Sequence, residues 1–362
     1  EYQSVLIAGT HGKTTTSSMV GCVLLNAGLD PTIVIGGEVN AWDGNARAGA
    51  GRYLVAEADE SDGSLVKLQG HIGVVTNIEL DHPDHYDSLD EVVDIFQTFE
   101  NHCETLVACI DSTAVVRSLD PDVTYSLDPD AGADYTASNV CYGAQGTQAD
   151  IWERGQYLGQ LSLGLLGSHN LSNALAAVAV GRLVGLEFQA IADALSRFEG
   201  ARRRFEHRGE ANGITFIDDY AHHPSELEVT LAAARLRAVQ PSGDRRRVVA
   251  GFQPHRYSRT TVFLNEFAQS FGNADLVITT DIYSAGESDT GMVSGLELSD
   301  AIAAHHTNVV YQPTLDTVVE YLKTHLLSGD LVLFLGAGSL NQVIPDLVQF
   351  YDTAPKPAQA AL

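Results

Sequence analysis

A chain of 362 residues is long enough to build two domains with sizeable cores. Its 47 Asp and Glu against 21 Lys and Arg leave a formal charge of -26, which argues against a nucleic-acid-binding surface and reads as a solvated acidic exterior. No apolar run approaches the ~18 residues of a membrane span, and the first 20 residues do not read as a signal peptide, so no membrane insertion and a cytoplasmic location are expected.

Cys22, Cys103, Cys109 and Cys141 lack CxxC spacing and are expected to be reduced thiols. The chain starts with Glu rather than Met, which reads as a fragment of a longer protein.

In chain order, "SVLIA" reads as a buried strand and "TTTSSMVGCVLLNAG" as a helix, with "GTHGKT" between them. A strand, a Gly-rich turn and a helix N-terminus present backbone N–H groups and a positive dipole end to an anion. Gly9 and Gly12 allow close backbone approach, Lys13 supplies a point charge for phosphates, and the Thr14 hydroxyl can reach Mg²⁺. The general phosphate loop has four residues between its glycine and the GK pair, whereas only two separate Gly9 from Gly12.

Next, "VAEADESDGSL" places Glu57, Asp59, Glu60 and Asp62 just beyond a strand, where carboxylates face the ligand crevice of an open α/β sheet and suit Mg²⁺. After the strand "IGVVTNI", "LDHPDHYDS" offers His82 and His85 among Asp81 and Asp84. These residues fit a metal shell, a water-orienting role or the cap of the helix that begins near residue 88.

Residues 110–165 read as a small β-rich excursion. "GSHNLSNA" follows, with Asn170 and Asn173 on one face of a helix, able to read an adenine edge or to cap. The basic cluster in "RFEGARRRFEHRGEANG" marks a domain boundary near residue 200, giving domains 1–200 and 201–362.

Beyond it, "FIDDYAHHPSE" and "GFQPHRYSRT" bring His222, His223, Arg256 and Arg259 to strand ends, adding to Arg203 and Arg204 of the cluster. Guanidinium forks of this kind suit phosphate and carboxylate. Strand candidates such as "RRVVAGF", "DLVITT" and "DLVLFLGAG" alternate with helices, the pattern of parallel sheets with crossovers, and "APKPAQAAL" reads as a frayed tail.

Taken in order, "GTHGKTTT", "AEADESD", "NIELDHPDHY", "GSHNLSNALAA", "FEGARRRFE", "DDYAHHPSE" and "GFQPHRYSRT" resemble the Mur ligase family, whose loop pattern is GTxGKT. The resemblance implies a central ATPase domain with a mostly parallel sheet, then a C-terminal Rossmann-like domain that closes over the reactants. A UDP-sugar-binding domain of about 100 residues is expected to lie outside this chain, upstream of the loop.

The motifs look most like the branch that joins L-alanine to UDP-N-acetylmuramate in peptidoglycan synthesis, with ATP as the energy source and two Mg²⁺ ions. The tripeptide-adding recycling branch, or an ATP-binding piece inactive by itself, are the alternatives. Carried over, Gly9, Thr10, His11, Gly12, Lys13, Thr14 and Thr15 would line the nucleotide phosphates. Thr14 and Glu57 would ligate one Mg²⁺, and His82 would sit by the second.

Asn170 and Asn173 would contact adenine, and Arg204 with Asp218 or Asp219 would reach the nucleotide. Tyr220, His222, His223, Arg256 and Arg259 would hold alanine and the muramoyl end, with Lys13, His82 and His223 as the catalytic set. Sister branches use a carbamylated lysine between two metals; the absence of any lysine between Lys67 and Lys323 fits the alanine-adding branch.

Overall fold

A computed structural model describes residues 2–240, 243–289 and 291–353; the tail 354–362 lies outside the described residues. The chain forms two compact units, Glu1–Arg202 and Arg203–Leu362.

The first unit runs β1 (Gln3–Ala8), α1 (Lys13–Asn26), β2 (Thr32–Val39), β3 (Gly44–Arg47), β4 (Tyr53–Glu57) and β5 (Gly70–Val75). It continues with α2 (Leu89–Asn101), β6 (Cys103–Cys109), α3 (Thr113–Ser118), β7 (Val123–Ser126), β8 (Tyr135–Gly143), β9 (Gly146–Glu153) and β10 (Gln156–Leu163). It ends with α4 (Ser168–Leu183) and α5 (Phe188–Ser196).

All ten strands join one sheet in the order β10-β9-β8-β7-β6-β5-β1-β4-β2-β3, parallel from β8 to β2 and antiparallel at both edges. The β-rich stretch expected as an excursion is thus a continuation of the main sheet: β7 and β8 pair in parallel, and β9 and β10 fold back as a meander.

Successive residues of β1 face opposite cores. Val5 and Ile7 pack with Met19 and Val23 of α1 and Leu171 and Leu175 of α4, while Leu6 and Ala8 pack with Phe96 and Phe99 of α2. A parallel strand covered by helices on both faces reads as a continuous apolar run for this reason.

The second unit runs β11 (Glu206–Ala211), β12 (Ile214–Asp219), α6 (Pro224–Arg237), β13 (Val248–Phe252), α7 (Tyr257–Val262), α8 (Leu264–Gln269) and β14 (Leu276–Thr279). It then adds α9 (Gly295–Ala303), β15 (Val309–Tyr311), α10 (Leu315–His325), β16 (Leu331–Leu335) and α11 (Ile344–Thr353).

Its sheet, in the order β11-β12-β16-β13-β14-β15, is parallel except for β11. Phe216 and Ile217 again divide between two cores, the first against α10 and α11 and the second against α6 and α9. Among the described residues the four cysteines form no disulfide, and no helix is long and apolar enough to cross a membrane.

Candidate active site

In the first sheet β1 lies between β4 and β5, with Ile7 opposite Glu57 and Ala8 opposite Val75. The chain crosses to opposite sides of β1 on leaving it for β2 and later for β5. The crevice beyond its C-terminal end is therefore a topological switch point, where open α/β sheets bind ligands.

The loop after β1 fills that crevice. Gly9 has φ +131, and a β-carbon there would stand 1.9 Å from the Thr76 hydroxyl oxygen; Gly12 has φ +84 and its β-carbon would lie 2.6 Å from Asn173 Oδ1. Neither position admits a side chain. The loop is pinned to the segment after β5. The Thr10 amide donates to the Asn77 carbonyl at 3.1 Å, the His11 amide to Asn77 Oδ1 at 2.9 Å, and the Thr76 hydroxyl to the His11 carbonyl at 2.6 Å. Thr10 also exchanges two hydrogen bonds with Glu79, and α1 begins at Lys13.

Lys13 Nζ donates to the carbonyls of Gly9 (2.7 Å) and Thr10 (3.1 Å) and to Glu60 Oε2 (2.8 Å), with Asp59 at 3.8 Å. Burial acts to lower the pKa of this ammonium, but Glu60 and Asp59 outweigh it and hold the amine protonated above its ordinary range. Burial raises Glu60 to about 7, against the opposing pull of Lys13.

Glu57, at the end of β4, accepts from the Gly36 amide of β2, and a β-carbon on Gly37 would meet the Thr14 methyl at 2.8 Å. The Thr14 side chain and the Glu57 carboxylate therefore lie against adjacent residues of one two-glycine stretch. Their oxygens suit a hard cation such as Mg²⁺. Thr15 is buried in the first turn of α1.

His82 lies past β5 with Nε2 3.5 Å from Asp81 Oδ2, and its carbonyl accepts from the amides of His85 and Tyr86 in the turn before Ser88 caps α2. Asn173, on α4, accepts from the Thr16 hydroxyl at 3.1 Å, and Asn170 donates to the Leu166 carbonyl at 2.8 Å.

The second unit gathers its polar residues at the C-terminal ends of β12 and β13. Asp218 is fully buried and accepts from Arg208 (3.1 Å) and Asn341 (3.0 Å). Asp219 accepts from the amides of Phe205 (2.7 Å) and Ala221 (2.8 Å). Burial raises its pKa to about 6, against the opposing effects of Arg204 and those two amides.

Arg203 and Arg204 lie over the Tyr220 ring at 4.8 and 5.2 Å, and Arg204 stands 3.8 Å from Glu226. Arg203 and Phe205 have φ of 57° and 51°, a left-handed backbone held by the hydrogen bonds of this turn. His223 caps α6 in a capping box with Glu226, and His222 Nδ1 lies 2.9 Å from the Tyr220 carbonyl. Arg256, at φ 72°, stands 3.5 Å from Glu287, while the buried Arg259 lies 3.2 Å from His255 Nδ1.

Within the first unit the structure brings together Gly9, Gly12, Lys13, Thr14 and Glu57. Within the second it brings together Arg204, Asp219, Tyr220, His222 and His223. Thr76 and Asn77 had no expected role, although "TN" placed directly after a parallel strand was the available signal.

A Gly-rich loop at the switch point of a parallel sheet, followed by a lysine held among carboxylates, is the arrangement of a nucleotide-binding α/β protein. Within that class the chain belongs to the Mur ligase family: residues 7–181 match the Mur ligase middle domain and residues 203–338 match the domain described as Mur ligase, glutamate ligase domain.

It is 66% identical over 348 residues to the UDP-N-acetylmuramate–L-alanine ligase of Nostoc punctiforme, covering 96% of this chain and 72% of that protein. It is 62% identical over 349 residues to the enzyme of the same name from Gloeothece citriformis, covering 96% and 70%. The crystal structure of the UDP-N-acetylmuramate–alanine ligase of Thermotoga maritima superposes with a TM-score of 0.82 at 26% identity, covering 98% of this chain and 76% of that one. The MurF ligase of Thermotoga maritima, solved in complex with ADP, shares the fold at a TM-score of 0.71 and 18% identity, covering 97% and 80%.

Proposed function

We propose that this chain performs ATP-dependent ligation of L-alanine to the muramoyl carboxylate of UDP-N-acetylmuramate, releasing ADP and phosphate. The observation that carries this reading is the 66% identity to a ligase of that name over nearly the whole chain.

A carboxylate is a poor acyl donor. Attack of its oxygen on the γ-phosphorus of ATP gives an acyl phosphate and ADP, and the amine of L-alanine then adds to the acyl carbon. The tetrahedral adduct collapses with loss of phosphate and a proton, leaving the amide. Phosphoryl transfer depends chiefly on positioning and charge neutralisation. Gly9 and Gly12 would offer backbone N–H groups, Thr10 and His11, whose amides are held by Asn77, would shape the loop around the phosphates, Lys13 would supply its ammonium, and Thr15 would stiffen the first turn of α1.

Thr14 and Glu57 would hold a Mg²⁺ ion and His82 would stand by a second, the ions supplying charge neutralisation at phosphate oxygens. Asn170, whose amide nitrogen donates to the Leu166 carbonyl and lies 3.0 Å from His169 Nε2, would offer its carbonyl oxygen to an adenine edge, and Asn173 would assist it while tethering α1. In the second unit Arg204, steadied by Glu226 and Tyr220, suits a phosphate, and Asp219 shapes the turn that carries it. Asp218 anchors Arg208 behind that turn. Tyr220, His222, His223, Arg256 and Arg259 suit the carboxylate of alanine and the muramoyl end.

Isotope transfer tests the chemistry. With the muramoyl carboxylate labelled with ¹⁸O, one labelled oxygen is expected in the released phosphate for each amide formed. Amide formation with unlabelled phosphate overturns the acyl-phosphate route.

A further inference from the structure

An ammonium has three N–H donors, and in Lys13 all three have acceptors: the carbonyls of Gly9 and Thr10 and the carboxylate of Glu60. Two of these acceptors belong to the loop itself. The third is the only charged one at hydrogen-bonding distance.

Glu60 is 2% exposed and lies three residues beyond the end of β4. Its backbone is fixed, because its carbonyl accepts from the Tyr86 hydroxyl and from the Gly63 amide at 3.0 Å. Its second carboxylate oxygen, Oε1, is buried with no hydrogen-bond partner among the described residues. A carboxylate so enclosed, with half its hydrogen-bonding capacity unused, is costly to keep, and its compensation is the contact with Lys13.

We propose that Glu60 is a positioning residue for Lys13: an internal counter-ion that holds the ammonium in the phosphate loop until a nucleotide phosphate displaces it. This inference rests on the nucleotide-binding reading of the loop.

For Lys13 to donate to a phosphate oxygen, one of its three present bonds must break. The two carbonyls keep the amine inside the loop, so exchanging the Glu60 carboxylate for a phosphate oxygen moves it least. Glu60 thus keeps a buried, charged lysine in place when no anion is bound, and in doing so it competes with the anion. The competition lowers affinity for ADP and ATP while sparing the loop the cost of an unpaired buried charge.

The test is a double-mutant cycle read by calorimetric titration of ADP. Glu60→Gln keeps the shape and removes the charge. It is expected to tighten ADP binding about tenfold when Lys13 is present, and to change it by less than about twofold in a Lys13→Ala background. Weaker binding by Glu60→Gln, or the same change with and without Lys13, overturns the proposal.

A measurement on the unaltered protein covers the case in which Glu60→Gln fails to fold. The chain has only four lysines, so ¹⁵Nζ-lysine labelling gives a spectrum simple enough to assign by Lys13→Ala. A slowly exchanging Lys13 ammonium signal is expected before nucleotide is added, shifting when ADP binds. A rapidly exchanging Lys13 amine in the free protein overturns the proposal, and failure of the unaltered protein to bind ADP at all overturns the nucleotide reading beneath it.

Discussion

Asn173 on α4 accepts a hydrogen bond from the hydroxyl of Thr16 on α1 at 3.1 Å, and both side chains are buried. This bond ties the helix that follows the phosphate loop to the helix behind it, and Asn173 Oδ1 also fills the space a side chain at Gly12 would take. Asn173→Ala strands a fully buried hydroxyl and is expected to cost about 1–3 kcal/mol of stability. Urea denaturation measures it, and an unchanged midpoint with an unchanged slope would show the tie to be idle.

Two glycines with left-handed backbones separate steric from conformational cost. At Gly9 a β-carbon meets the Thr76 hydroxyl oxygen at 1.9 Å, whereas at Gly28, with φ +74, nothing lies within 4 Å. Gly28→Ala is expected to cost about 1 kcal/mol and Gly9→Ala about 3 kcal/mol or more, with loss of ADP binding only in the latter. Equal losses in thermal unfolding would contradict the packing described for the loop.

Asp219 gives the second unit a pH dependence whose sign is fixed. Burial raises its folded pKa to about 6 from an ordinary 3.8, despite Arg204 and the Ala221 and Phe205 amides, so between these values the folded state holds a proton the unfolded state has lost. Its contribution is complete below about pH 4 and is lost as pH rises to about 6, on the order of 3 kcal/mol in all. Asp219→Asn is expected to remove this slope. Parallel stability curves for the two proteins from pH 4 to 6 would refute the assignment.

Lys13→Ala is expected to reduce ATP turnover by about 100-fold or more while circular dichroism shows the fold retained. The substitution leaves Glu60 without its partner, and a carboxylate already raised to about 7 by burial can then take up a proton rather than unfold the site. Retention of most activity would remove the phosphate-loop reading.

Much of this was legible in the residues. "SVLIA" before two glycines and "GKTTT" specified a strand, turn and helix, because a parallel strand buried on both faces is a plain apolar run and the turn demands residues without side chains. His223 was legible as a polar residue at a strand end, but its role as the cap of α6 was not, since Ser, Thr, Asp and Asn are the usual caps.

Glu60 could not be told from Asp59 or Asp62 within an acidic run, because only the fold buries one of the three beside Lys13. The extent of the first sheet was likewise hidden. Short, polar-rich strands such as β7 look alike whether they start a separate layer or extend an existing one, and long-range pairing decides between the two.

Ligation of alanine is tested most directly by a mass-spectrometric assay with ATP, Mg²⁺, UDP-N-acetylmuramate and L-alanine, run on the whole protein. The protein is expected to yield UDP-N-acetylmuramoyl-L-alanine with one ADP formed per amide. A folded full-length protein that binds ATP and forms no alanylated product would contradict this expectation.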